Sequence, residues 1–133
     1  MSEIIGVGAE ITECLRVARM IDRYGEQFVD RVFTKEEVRF CRDRKFPSRH
    51  FAAHWAAKQA VLRALGLSWG RGINWRDMEI RSNGSGGWTV ALRGAVRDHV
   101  EQIGATRILV AMAHCRTYAT GYATALGARS NDD

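Results

Sequence analysis

At 133 residues, 46% hydrophobic and 26% charged, the chain is long enough for one domain with a real core and too apolar to be disordered. No apolar run approaches the roughly 18 residues of a membrane span, and no basic start with an apolar core marks a signal peptide. Twenty Lys+Arg against 15 Asp+Glu leave a net charge of +5. That excess points to an anionic partner, but the chain has no Lys/Arg block, zinc-finger spacing or RNP motif that would make the partner a nucleic acid.

Residues 4–11 (IIGVGAEI) read as a first strand, with Gly6 and Gly8 marking close backbone approach or a bend. Gly6-Val7-Gly8 lacks the third glycine of a dinucleotide fingerprint. Glu10 and Glu13 follow. If a helical turn starts there, the two carboxylates share a site and call for a cation; an acidic pair also suits a helix N-terminus by itself. Residues 13–24 are expected as a helix, with Leu15, Ala18 and Ile21 facing inward, and 26–32 as a shorter one. Thr34 and Glu37 have the spacing of a capping box ahead of a helix to about residue 43. Arg42, Arg44 and Lys45 then form either solvated surface or a phosphate contact.

Residues 50–65 hold the longest unbroken helical pattern. His54 and Lys58 share one of its faces, and Trp55, Gln59 and Leu62 form a neighbouring stripe. A lysine among alanines either snorkels to water from a core helix or meets an anion in a tight crevice. Residues 67–72 read as a loop, and 73–75 and 78–81 as short extended pieces. Asn83-Gly84-Ser85-Gly86-Gly87 is the strongest turn signal and should join two antiparallel strands, the second being 88–92 (WTVAL). A helix from 94 to about 103 and strands at 107–113 and 118–126 complete the pattern, with 127–133 as a frayed tail. This order predicts an α+β domain, a small antiparallel sheet packed against helices. Cys14, Cys41 and Cys115 have no zinc-ligand spacing and cannot all pair within one chain, which fits a reducing, cytoplasmic compartment. Glu10, Lys58 and His114 combine a carboxylate for Mg²⁺, an ammonium for phosphate and an imidazole for proton exchange, although periodicity alone does not bring them together.

Five stretches, in order, resemble the holo-[acyl-carrier-protein] synthases, the small phosphopantetheinyl transferases. They are GVGAEITE (6–13), VFTKEE (32–37), WAAKQAVLRALG (55–66), INWRDMEI (73–80) and VAMAH (110–114), followed by Tyr118-Ala119. The resemblance implies one domain of the 4'-phosphopantetheinyl transferase fold over residues 1–127, with 128–133 as a flexible tail. It further implies a homotrimer with coenzyme A in clefts between subunits and Mg²⁺ at the pyrophosphate. The implied reaction moves phosphopantetheine from coenzyme A to a serine of an apo acyl carrier protein and releases adenosine 3',5'-bisphosphate. The carrier's acidic surface would meet a basic stripe of Arg16, Arg19 and Arg23.

Residue by residue, the resemblance puts Glu10 at the family's metal-binding aspartate and Gln59 at its second acidic ligand. Lys58 is expected near phosphate, assisting proton transfer from the carrier serine. His114 matches the histidine that closes the strand motif. His54, where arginine is usual, and Arg49 are expected to contact coenzyme A. Thus Lys58, His114 and Glu10 are the catalytic candidates, His54, Lys58 and Arg49 the coenzyme A contacts, and Glu10 and Gln59 the metal ligands. Gln59 lacks the charge of the glutamate it replaces; Ala111 and Ala113 stand where serine is typical, and Trp88 where proline is common. The alternative is a weak or inactive paralogue that still binds coenzyme A or a carrier.

Overall fold

The computed structural model describes residues 2–68, 70 and 72–128. Residues 69 and 71 of the expected loop, and 129–133 of the expected tail, lie outside the described residues.

Strand β1 (Ser2–Glu13) is longer than its apolar core predicts, because its start pairs with the end of the last strand: Ser2 faces Ala128 and Glu3 faces Gly127. A register shift between Ile4 and Gly6 marks a bulge, after which Gly6, Gly8, Glu10 and Thr12 turn inward while Val7, Ala9 and Ile11 turn out. Helix α1 (Cys14–Tyr24) stops at Gly25, whose φ of 57° suits glycine, and α2 (Glu26–Val32) begins directly after it. Helix α3 (Lys35–Arg42) carries the expected capping box, with both the Thr34 and Glu37 bonds formed. The main helix α4 (Pro47–Ala64) begins at its proline, whose missing N–H costs nothing in a first turn.

Residues 73–75 were expected to be extended. Trp75–Asp77 instead form a 3-10 turn, because the Asn74 side chain accepts from Arg76 N and caps it. Then come β2 (Met78–Ser82), β3 (Trp88–Leu92), α5 (Gly94–Gln102), β4 (Ala105–His114) and β5 (Tyr118–Ala128). The strand order is β1-β5-β4-β3-β2, antiparallel throughout. The last strand takes in Gly127 and Ala128, which the sequence assigned to a tail; β1 supplies their partners.

Helix α4 lies across the inner face of β1 and β5. Small residues on both sides allow this closeness: Ala56, Ala57, Ala60 and Ala64 on the helix, Gly6, Gly8 and Gly121 on the strands. The helix's far side is covered by aromatic rings from α2 and the loop before α3: Phe33 lies 4.9 Å from Phe51 and Phe28 5.2 Å from Trp55, centroid to centroid. Among the described residues, no helix covers the outer face of the sheet. Val7 and Ile11 are each 66% exposed there, and Tyr118 and Tyr122 each 50%.

Candidate functional site

The candidate residues fall into separate groups along α4. At its start, Arg49 lays its guanidinium 4.0 Å above the Phe46 ring, and His50 packs edge-on against His114 at 4.4 Å. His114 is the last residue of β4 and is exposed, so the strand delivers its imidazole to the helix start. Burial, reinforced by His114, Arg44 and Arg49, holds the His50 pKa below the ordinary histidine value. With Lys45 and Arg116 nearby in a groove of about 350 Å³ that also takes in Arg49, this end of the molecule is strongly basic.

The second group sits further along α4. Glu10 Oε2 lies 2.7 Å from Arg63 Nη2, and Arg63 Nη1 donates to the Ala9 carbonyl at 2.8 Å. Gln59 is one helical turn before Arg63 and opens into a groove of about 580 Å³ with Trp55, Trp75, Phe28, Met20 and Tyr24. Met20 and Tyr24 also border a groove lined by Arg16, Arg19 and Arg23, so the expected basic stripe of α1 does share a surface. The path along α4 from Arg49 to Arg63 is about 21 Å, so the histidine pair and the Glu10 group do not meet within one chain by way of the helix.

Lys58 lies in neither group. Its side chain is fully buried, with Nζ 2.5 Å from Glu37 Oε1 and donating to the carbonyls of Val32 at 2.6 Å and Trp75 at 3.2 Å. All three ammonium protons are spent inside the core. Lys58, which the resemblance puts near phosphate, here forms a structural tie. Glu37 accepts from Thr34 N and Ile80 N, each at 2.9 Å, so one carboxylate joins α3, β2 and α4. Burial pushes Glu37 up and Lys58 down, each toward neutrality, and their mutual attraction opposes both shifts. The capping-box spacing located Glu37, but nothing in that spacing revealed its second partner.

His54, expected to contact coenzyme A, is also fully buried. Its Nδ1 donates to the His50 carbonyl at 2.9 Å, which leaves Nε2 as the unprotonated nitrogen, enclosed among Phe40 and Trp88 without a hydrogen-bond partner among the described residues. Burial lowers its pKa to about 4. The unfolded chain thus takes up a proton near pH 6.5 that the folded chain refuses until about pH 4. Stability should be full above pH 6.5 and fall by about 3 kcal/mol as pH drops through that window. Urea unfolding of the parent and of His54→Leu at pH 7 and pH 4.5 checks this. The variant should show the flatter pH dependence, and equal slopes would remove His54 as the cause.

Metal-binding chemistry is thin here. Among the described residues, no three His, Cys, Asp or Glu side chains gather in a way that would hold a metal ion. Of the expected ligands, Gln59 is neutral and Glu10 already faces a guanidinium, so the group carries no net negative charge. Mg²⁺ needs near-octahedral oxygen donors and gives up water reluctantly, so this donor set does not fit a resident ion.

A family model described as the 4'-phosphopantetheinyl transferase superfamily matches residues 6–123. The chain belongs to that superfamily. It is 43% identical, over 90% of its length and 94% of the relative's, to the holo-[acyl-carrier-protein] synthase of Rhodopirellula baltica. The crystal structure of the holo-[acyl-carrier-protein] synthase of Neisseria meningitidis matches with a TM-score of 0.84 at 24% identity, covering 92% of this chain and 98% of that one. The Helicobacter pylori synthase, solved in complex with coenzyme A, matches at 0.79 with 18% identity, covering 90% and 98%. The fold is therefore that of a phosphopantetheinyl transferase, as the five sequence stretches implied. Arg63, the partner that the fold gives Glu10, is a residue that sequence reading passed over; its place one helical turn after Gln59 was the available signal.

Proposed function

We propose that this transferase moves the 4'-phosphopantetheine group of coenzyme A onto a serine hydroxyl of an apo acyl carrier protein. The serine oxygen forms a new bond to the phosphorus that carries the pantetheine arm. The diphosphate P–O bond breaks, adenosine 3',5'-bisphosphate leaves, and the serine proton passes to a base. The family membership, at 43% identity to a holo-[acyl-carrier-protein] synthase over nearly the whole chain, is the observation that carries this reading.

The geometry supports a division of labour. Arg49, His50, His114 and Arg116 make a basic end suited to the phosphates of coenzyme A, with His114 the exposed imidazole able to exchange a proton. Glu10 and Arg63 form the second charged group, and the arginine stripe of α1, where an acidic carrier would dock, borders the groove that Gln59 opens into. Lys58 and His54 serve from beneath, holding α4 in place. The separation of the two groups supports a site completed across a subunit boundary. The uncovered outer sheet face, with Val7, Ile11, Tyr118 and Tyr122, supports a homotrimer assembled through it. Tyr122→Glu should then shift the chain to monomer in light scattering; an unchanged mass would place the interface elsewhere. No helix among the described residues is long and apolar enough to cross a membrane, and three free cysteines suit a reducing cytoplasm.

The experiment is direct. The purified chain is incubated with coenzyme A, a magnesium salt and several apo carrier proteins, and the carriers are weighed by mass spectrometry. Gain of the phosphopantetheine mass is expected; none across a panel that a competent transferase does modify would overturn the reading. The neutral Gln59 and the occupied Glu10 favour one second reading, a paralogue that binds coenzyme A or a carrier without turnover. Calorimetric binding with no mass gain would select it.

A further inference from the structure

Cys14 and Cys115 are 101 positions apart in the chain and meet at one turn. Glu13, the last residue of β1, faces Tyr118, the first of β5, so the first residue of α1 lies beside the turn that joins β4 to β5. Cys14 N donates to the Thr117 carbonyl at 2.9 Å, and Cys115 N to the Tyr118 carbonyl at 2.8 Å. The Cys14 thiol donates to the Cys115 carbonyl, with Sγ 3.7 Å from the oxygen, while Tyr118 N donates to Cys115 Sγ at 3.5 Å. The two thiols differ in their surroundings: Cys14 is buried and Cys115 exposed. The backbone N–H groups of Tyr118 and Thr117, helped by the Arg49 guanidinium, hold the Cys115 thiol below its ordinary range, whereas burial pushes that of Cys14 up. The third cysteine, Cys41, is shut in α3 with its Sγ 3.7 Å from His54 Nδ1, and burial raises its thiol well above the ordinary range. An exposed thiol that ionises readily, set beside a buried one, is the arrangement of a peroxide-reactive cysteine and its resolving partner.

We propose that Cys115 and Cys14 form a redox pair, which a peroxide closes into a disulfide joining the first turn of α1 to the β4–β5 turn. The Cys115 thiolate sulfur attacks one peroxide oxygen and the O–O bond breaks. The leaving hydroxide takes up the proton the thiol lost and departs as water, which leaves a sulfenic acid on Cys115. Cys14 then attacks that sulfur: the S–S bond forms, the S–O bond breaks, and the Cys14 proton leaves with the hydroxide as a second water. Two thiols and one peroxide thus give one disulfide and two waters. Because Cys115 is exposed, rotation of its side chain is the movement that brings the sulfurs together. Cys115 stands between His114 and Arg116, and Cys14 lines the groove that holds Lys45, Arg49 and Arg116. The crosslink therefore fixes the basic end of the molecule without consuming any of its charged groups. Thiol exchange reopens it in a reducing compartment, so the bond is a transient state and not a structural disulfide. The pairing is independent of the ligand that the basic end takes.

The purified full chain, reduced and then treated with hydrogen peroxide, is alkylated, digested and mapped by mass spectrometry. One peptide pair joined through Cys14 and Cys115 is expected, two hydrogens lighter than its parts, with Cys41 still a thiol and the link undone by dithiothreitol. Closing so long a loop should also raise the unfolding midpoint of the oxidised chain by about 10 °C. In Cys14→Ser the sulfenic acid should persist on Cys115 and be captured by dimedone; in Cys115→Ser, Cys14 should stay reduced under the same treatment. Both cysteines alkylated after peroxide, a link through Cys41, or a Cys115 link between two copies of the chain would overturn the pairing. A midpoint that does not rise overturns it too, because the bond would then distort the turn it should fix. Should Cys14→Ser fold poorly, the map of the parent chain decides alone.

Discussion

Replacing Lys58 with methionine is expected to cost about 3–5 kcal/mol of folding stability, because it leaves the Glu37 carboxylate in the core without its counter-charge. Glu37 is 1% exposed, and its remaining partners, Thr34 N and Ile80 N, cannot neutralise it. The carbonyls of Val32 and Trp75 lose a donor in the same step. The double variant Glu37→Leu/Lys58→Met should recover much of that loss, since a buried ion pair exchanged for apolar groups of similar volume is often close to neutral. Urea unfolding of the two singles and the double measures the coupling directly. A single variant within about 1 kcal/mol of the parent would mean that the pair does not hold α3, β2 and α4 together.

Gly8→Val should be comparably damaging for a different reason. A Cβ at Gly8 would stand 2.0 Å from the Ala60 carbonyl oxygen and 2.9 Å from Ala64 N, both backbone atoms of α4. Neither can rotate away, so β1 must lift off the helix and open the packing along its inner face. Overpacking of this kind costs about 3 kcal/mol. Because the displaced strand carries Glu10, phosphopantetheine transfer should fall together with thermal stability. Full transfer in a destabilised Gly8→Val would show that the position of Glu10 against Arg63 does not govern the chemistry. A Cβ at Gly121 would stand 2.3 Å from Ala57 N, which predicts the same outcome from β5.

Most of the architecture could be read from the chain because its signals are local. Thr34 and Glu37 are close enough to declare a capping box, and both of its bonds form. The Asn83–Gly87 turn joins β2 and β3, with Asn83 Oδ1 accepting from the backbone of Ser85 and Gly87. The misreadings at residues 73–75 and 127–128 have different origins. Asn74 capped a turn that its apolar neighbours disguised, and Gly127 and Ala128 became strand only because β1 lay ready to pair with them.

The sequence by itself determined most of the elements, their order and the family, since hydrophobic period, caps and turn residues act over a few positions. The fate of each charged side chain was decided only by the tertiary structure. Lys58 looks the same in the sequence whether it meets phosphate or Glu37, and its partners Val32, Glu37 and Trp75 come from distant elements. Glu10 reads as a metal ligand in the sequence, and only the fold sets Arg63, from the far end of α4, against it. Burial and counter-charge set what an ionisable group does, and both are properties of the packed molecule.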